Sequence, residues 1–153
     1  MTVAPTTAKA AVAWIITAAK TAVTAEANHD LYIGYGEPLN ADPDDQVFLM
    51  DVESDATMIG MRTATAAAPM SEALVIPLKV SVFRHDDTGQ AAFERCADIV
   101  NAIVAAIRTD PTLGGAVLNA QPQRVSYPSP VASENGSGRV CETELIFDAL
   151  GTN

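Results

Sequence analysis

Apolar residues recur along the chain at two spacings, and each spacing predicts a different element. The strongest pattern lies in residues 90 to 118. Phe93, Cys96, Ala97, Val100, Ile103, Val104 and Ile107 fall at steps of three and four, which predicts a helix with this face buried. Glu94, Arg95, Asp98, Asn101 and Arg108 form its polar side. Asp110-Pro111 stops the helix, and Leu113-Gly114-Gly115 supplies permissive backbone for a turn into a strand. An earlier alanine-rich helix, capped by Thr6 or Thr7, is predicted to run to about Ala27 with Val12, Ile15, Ile16, Ala19, Ala22 and Val23 inward. Trp14 lies off that stripe, at the core rim or at a subunit contact.

Period-two patterns predict the strands. Leu31 to Tyr35 is a short one, closed by Gly36-Glu37-Pro38. Gln46 to Glu53 alternates Phe48, Met50 and Val52 against Val47, Leu49 and Asp51. Leu74 to Arg84 is the clearest, with Leu74, Ile76, Leu78, Val80 and Val82 on one face; Pro77 predicts an edge or bulge near its start. Ala116 to Tyr127, interrupted at Pro122, and Arg139 to Ala149, with Cys141, Thr143, Leu145 and Phe147 inward, complete the set around a loop at 128–138. Asp87 or Thr88 is the expected cap of the central helix. Residues 54–73 follow neither period and predict a long arm, mobile or ordered by a partner. The order is α-β-β-(arm)-β-α-β-β, an α+β fold in which two helices cover a mixed or antiparallel sheet.

Length and charge narrow the classes. The 153 residues suit a single domain. No apolar run is long enough for a membrane span, and the N-terminus lacks a signal-peptide pattern, so a soluble protein is expected. The formal net charge is −10, and between Lys20 and Arg62 there is no Lys or Arg. That interval carries Asp42, Asp44, Asp45, Asp51, Glu53 and Asp55, a block that repels a phosphate backbone and argues against tight nucleic-acid binding. Cys96 and Cys141 fall on core faces and read as buried free thiols.

Residue spacing offers no complete catalytic arrangement. His29 and His85 each precede an aspartate but have no second imidazole or thiol at metal-ligand spacing. Asp51, Glu53 and Asp55 alternate and share a face if the strand continues, yet the glycine and terminal glutamate of a calcium loop are missing. No G-x-S-x-G elbow or phosphate-binding glycine motif is present. The expectation is a protein without enzymatic activity, metal or cofactor.

The helix Phe93 to Arg108 followed by Asp110-Pro-Thr-Leu-Gly-Gly115 and a strand, the late strand ending Leu145-Ile-Phe-Asp148, and a leading helix before Asp30-Leu-Tyr-Ile-Gly34 together resemble tail terminator (tail completion) proteins of long-tailed, non-contractile bacteriophages. The resemblance implies a small subunit that forms a six-membered ring at the head-proximal end of the tail tube, ends tube polymerisation and joins the tail to the capsid neck. It implies contacts with the major tail tube protein and a neck or stopper protein, and genomic DNA passing through the lumen without specific binding. The expected location is the tail-neck junction of the virion, after assembly in the host cytoplasm. On this reading Asp42, Asp44, Asp45, Asp51, Glu53, Asp55 and Arg62 are candidates for the lumen or a subunit boundary. The alternatives are another head-tail connector, either a stopper or a head-completion protein, and a small-molecule binding domain.

Overall fold

A computed structural model describes residues 7–58 and 70–152. Within them lie helices α1 (Ala8–Ala22) and α2 (Gln90–Thr109) and strands β1 (Leu31–Gly34), β2 (Asp45–Leu49), β3 (Glu53–Met58), β4 (Met70–Arg84), β5 (Asn119–Arg124), β6 (Val131–Ala132) and β7 (Arg139–Thr152). The strands make one mixed sheet in the order β1-β2-β4-β7-β5, with β3 also on β4 and β6 on β7. β1 is parallel to β2, and the other pairings are antiparallel. The fold is therefore α+β, with both helices on one face of the sheet.

The frame is the β4–β7 pair, which stays in register from Ser71↔Thr152 to Arg84↔Arg139. On the helix side, Leu74, Ile76, Leu78, Val80 and Val82 meet Cys141, Leu145, Phe147 and Ala149, all buried. α2 closes over them with Ala92, Cys96, Ile99, Val100, Ile103 and Ile107, and α1 adds Ala11, Val12, Ile15, Ile16 and Ala19. The helix face is rotated slightly from the expected one. Phe93 is 39% exposed, and Ala92 and Ile99 take the inward positions. A narrower stripe with small Ala92 lets the helix approach the sheet, which leaves the larger ring outside.

Several boundaries differ from the sequence reading. α1 ends at Ala22, not near Ala27; Val23 is already extended and buried, and Ala22 is exposed. The chain turns there, with Asn28 in the left-handed region, to enter β1. Thr7 makes no side-chain cap, and its hydroxyl lies against Gly151, where a Cβ would come within 2.7 Å; Thr6 lies outside the described residues. At α2, Thr88 Oγ1 accepts from the Gln90 amide at 3.3 Å, as expected, and Asp86, not Asp87, supplies the capping carboxylate. It accepts from the Ala91 amide at 2.7 Å and the Thr88 amide at 3.1 Å, while Gly89 bends at φ 84.

The strand expected from Gln46 to Glu53 is two strands. β2 stops at Leu49, residues 50–52 leave the ladder, and β3 resumes on β4 from Glu53↔Val75. Pro77 faces this gap. Its carbonyl accepts from Met50 at 2.9 Å, so its missing N–H would point to the same edge, where no ladder bond is needed. Residues 54–58 and 70–73, expected in an unpatterned arm, are paired strand instead, from Ser54↔Leu74 to Met58↔Met70; the rest of that stretch, 59–69, lies outside the described residues. β5 is shorter than predicted, with a register shift between Pro122 and Arg124, and the 128–138 loop holds the two-residue β6. Before β5, Leu113, Gly114 and Gly115 all take positive φ. Asp110 organises that turn by accepting from Thr112 Oγ1 at 2.6 Å and Gly114 N at 2.9 Å.

Two outcomes are expected. Val100→Asp places an unpaired charge in the core and should cost more than about 4 kcal/mol, whereas Phe93→Asp should cost less than about 1 kcal/mol; urea unfolding of both variants checks the helix face. Hydrogen bonds from Ala91 to Asp86 and from Thr112 to Asp110 hold both carboxyls below the ordinary aspartate value of 3.8. Their contribution is full above about pH 4 and is lost as pH falls through the depressed folded values. Asp86→Asn with Asp110→Asn should flatten the acid limb of the stability curve, read as urea midpoint against pH.

Candidate functional site

The most organised polar cluster among the described residues is buried. Asp45, at the first position of β2, is fully inaccessible. Arg84, at the end of β4, binds it through two nitrogens at 2.7 and 3.1 Å, and Arg95 from α2 adds Nε at 2.8 Å. Each arginine also satisfies a carbonyl: Arg84 donates to Phe83 O at 2.7 Å and Arg95 to Thr24 O at 2.7 Å. Glu26 completes the set at 3.2 Å from Arg95 and 3.5 Å from Arg84. Two cations and two anions leave the cluster neutral. Burial opposes the charge on Arg84, but its hydrogen bond to Asp45 and the nearby carboxylates raise its pKa above the ordinary arginine value.

This cluster corrects the reading of Asp45 as a lumen or boundary residue. Its carboxylate faces the core because β2 alternates, putting Asp45 and Val47 on the helix side. Among the other candidates, Asp42, Asp51, Glu53 and Asp55 are exposed, and Asp44 is half-buried against His29 at 2.8 Å. Arg62 lies outside the described residues. Asp51 sits in the break before β3, whereas Glu53 and Asp55 share the sheet face away from the helices, paired with Val75 and Ala73. Three alternating carboxylates on one face, considered from spacing, are therefore not formed. Among the described residues no three His, Cys, Asp or Glu groups gather closely enough to hold a metal ion.

The remaining reactive groups are engaged in structure. His85 is exposed, with Nδ1 2.8 Å from Ser137 O and its ring edge-on to Phe83 at 4.9 Å between centroids. Cys96 and Cys141 are buried free thiols, and burial pushes both pKa values up, away from the thiolate needed for nucleophilic attack. The surface hollows are open and modest. One of about 280 Å³ lies over Phe48 and Lys79 beneath the 37–41 loop. Another, about 350 Å³, is an apolar seam between α1 and α2 beside Trp14, Ala18 and Ala106. Trp14 is half-buried there against Gly114, where a Cβ would come within 2.8 Å of the indole. Neither hollow gathers a nucleophile with a base.

What the structure does present is exposed strand surface among the described residues. Residues 53–57 of β3 are exposed on both faces. The far side of the sheet carries Glu142, Glu144 and Asp148 from β7 among half-buried Val75, Pro77 and Ile146. The period-two alternation of β7 puts Glu142, Glu144 and Asp148 on this side, and the β4–β7 register sets Val75, Pro77 and Ile146 among them.

Replacing Asp45 by Asn or Ala should destabilise the fold by about 3–5 kcal/mol, because two buried guanidinium groups lose their common partner. Glu26→Gln, at the half-exposed edge of the same cluster, should cost no more than about 1 kcal/mol. Denaturant unfolding of the two variants separates a buried clamp from a surface ion pair. Compared with known proteins, the sequence matches no family model and no curated protein.

Proposed function

We propose that the protein is a structural assembly subunit of a phage tail, a tail terminator that forms a ring at the head-proximal end of the tail tube, stops its polymerisation and joins it to the neck. The observation that carries this reading is β3: five successive residues, 53–57, are exposed on both faces of a strand hydrogen-bonded only to β4 among the described residues. A strand whose faces are uncovered, and whose outer edge has no partner among the described residues, is a surface suited to a neighbouring chain. The acidic balance adds support, since DNA crossing a ring of such subunits meets few strong attractions. No helix among the described residues is long and apolar enough to cross a membrane. The reading also rests on the likeness of the Phe93 to Gly115 segment to terminator sequences.

Polymerising tail-tube protein, incubated with and without this chain and imaged by negative stain, tests the proposal. Tubes of limited length with this protein at one end are the expected result. Unchanged tube growth, with binding only to the portal-side adaptor, would reassign the chain as a stopper; binding to neither would overturn a role at the neck.

A further inference from the structure

Direct partners across the ladder share a face, so Val75, flanked by Glu53 on β3 and Asp148 on β7, places both acids on the side away from α1 and α2. Glu144 stands on the same face of β7, opposite Lys79. Lys79 is turned toward Glu142 at 3.5 Å, and among the described residues no ion pair engages Glu53, Glu144 or Asp148. Arg124, beside Ile146, is the face's other cation and makes no ion pair there either. Between the acids lie Val75, Pro77 and Ile146, half-buried by their own sheet and uncovered by any helix. An apolar centre rimmed by unpaired acids has the composition of a contact surface for a basic partner.

The chain carries such a partner on its opposite side. Of its described cations, Arg84 and Arg95 are buried with Asp45, Lys79 pairs with Glu142, Arg139 donates to Asp87 O at 3.0 Å, Arg124 stands on the acidic face itself, and Arg108 is exposed in the last turn of α2. Lys9 and Lys20 are exposed on α1, a helix without an acidic residue. They lie about three turns apart on one stripe, about 16 Å along the axis, with small Ala13 and Thr17 between them. Glu144 and Asp148 are about 13 Å apart along β7, a separation that flexible lysine stems span. Two open faces set against each other would instead oppose like charges, which disfavours a sheet-to-sheet dimer.

We infer that the uncovered sheet face of one subunit receives α1 of a second copy, with Lys9 and Lys20 opposite Glu144, Asp148 and Glu53 around the Val75, Pro77 and Ile146 centre. The two surfaces are different patches, one on the helix side of the sheet and one on its far side, so the contact is heterologous and repeats head-to-tail. Repeated with a closing rotation it makes a ring. The inference deepens the ring reading above by naming the contact between its subunits.

Light scattering over a concentration series, at low and high salt, tests it on the full chain. The wild type should associate, more weakly at high salt. Lys9→Glu with Lys20→Glu should weaken association at least tenfold, and mixing that variant with Glu144→Lys/Asp148→Lys should restore it. Undiminished association of the first variant, or no restoration on mixing two variants with wild-type circular dichroism, would overturn the contact. Carbodiimide cross-linking of wild-type oligomers gives a readout independent of variant folding: links from Lys9 or Lys20 to Glu53, Glu144 or Asp148 support the contact, and links confined to other sites overturn it. A wild type that caps tubes as separate monomers overturns the contact and leaves the terminator reading standing. Rings built through this contact that leave tube growth untouched do the reverse.

Discussion

Asp45 sets a constraint that four parts of the chain must satisfy together. A carboxylate without access to water is stable only when its charge and its lone pairs are both met, and here two guanidinium groups meet them. Arg84 arrives from the end of β4, Arg95 from the second turn of α2, and the carbonyl of Thr24 and the carboxylate of Glu26 come from the link between α1 and β1. Displacing any of these segments strands a buried charge. The cluster therefore fixes where α2 lies on the sheet and where the chain leaves α1, a specificity that apolar contacts alone enforce less sharply.

With that corner fixed, the long β4–β7 pair carries the rest. Its helix side is a continuous apolar surface under α1 and α2, and its other side alternates into Lys79, Ser81, Glu142, Glu144 and Asp148. Two helices suffice to cover one side of such a sheet, and antiparallel sheets tolerate one solvated side. β3 continues the sheet beyond β2, where Ser54 and Ala56 on the helix side are exposed despite their inward register. The result is a subunit with a well-buried core on one side and spare strand surface on the other.

The assembly role proposed above rests on this arrangement. The titratable groups that sit close together form ion pairs or caps: His29 with Asp44, Asp86 at the start of α2, Asp110 in the turn after it. The two thiols lie in the core with raised pKa values. Glu53, Glu144 and Asp148 stand on the sheet face and Lys9 and Lys20 on α1, the charge separation on which the proposed contact between copies rests.

By itself the sequence determined the existence and type of both helices, the inward faces of residues 74–84 and 141–147, and the turn at Asp110 to Gly115, because each is a local matter of period, propensity and backbone freedom. Strand alternation also pointed Glu142, Glu144 and Asp148 outward. Tertiary structure decided the remainder. A slight rotation of α2 moved Phe93 out and Ile99 in while Cys96, Val100, Ile103 and Ile107 stayed inward, since packing against the sheet and not hydrophobicity alone chose between them. The gap opposite Pro77 divided an apparently continuous strand, because ladder bonds depend on the neighbour. Asp45 looked like one more acid in an exposed run, and only the arrival of Arg84 and Arg95 from 39 and 50 residues away made its burial favourable. Long-range pairing of charge leaves no local period, and so it was the part of this fold that the chain's pattern could not display.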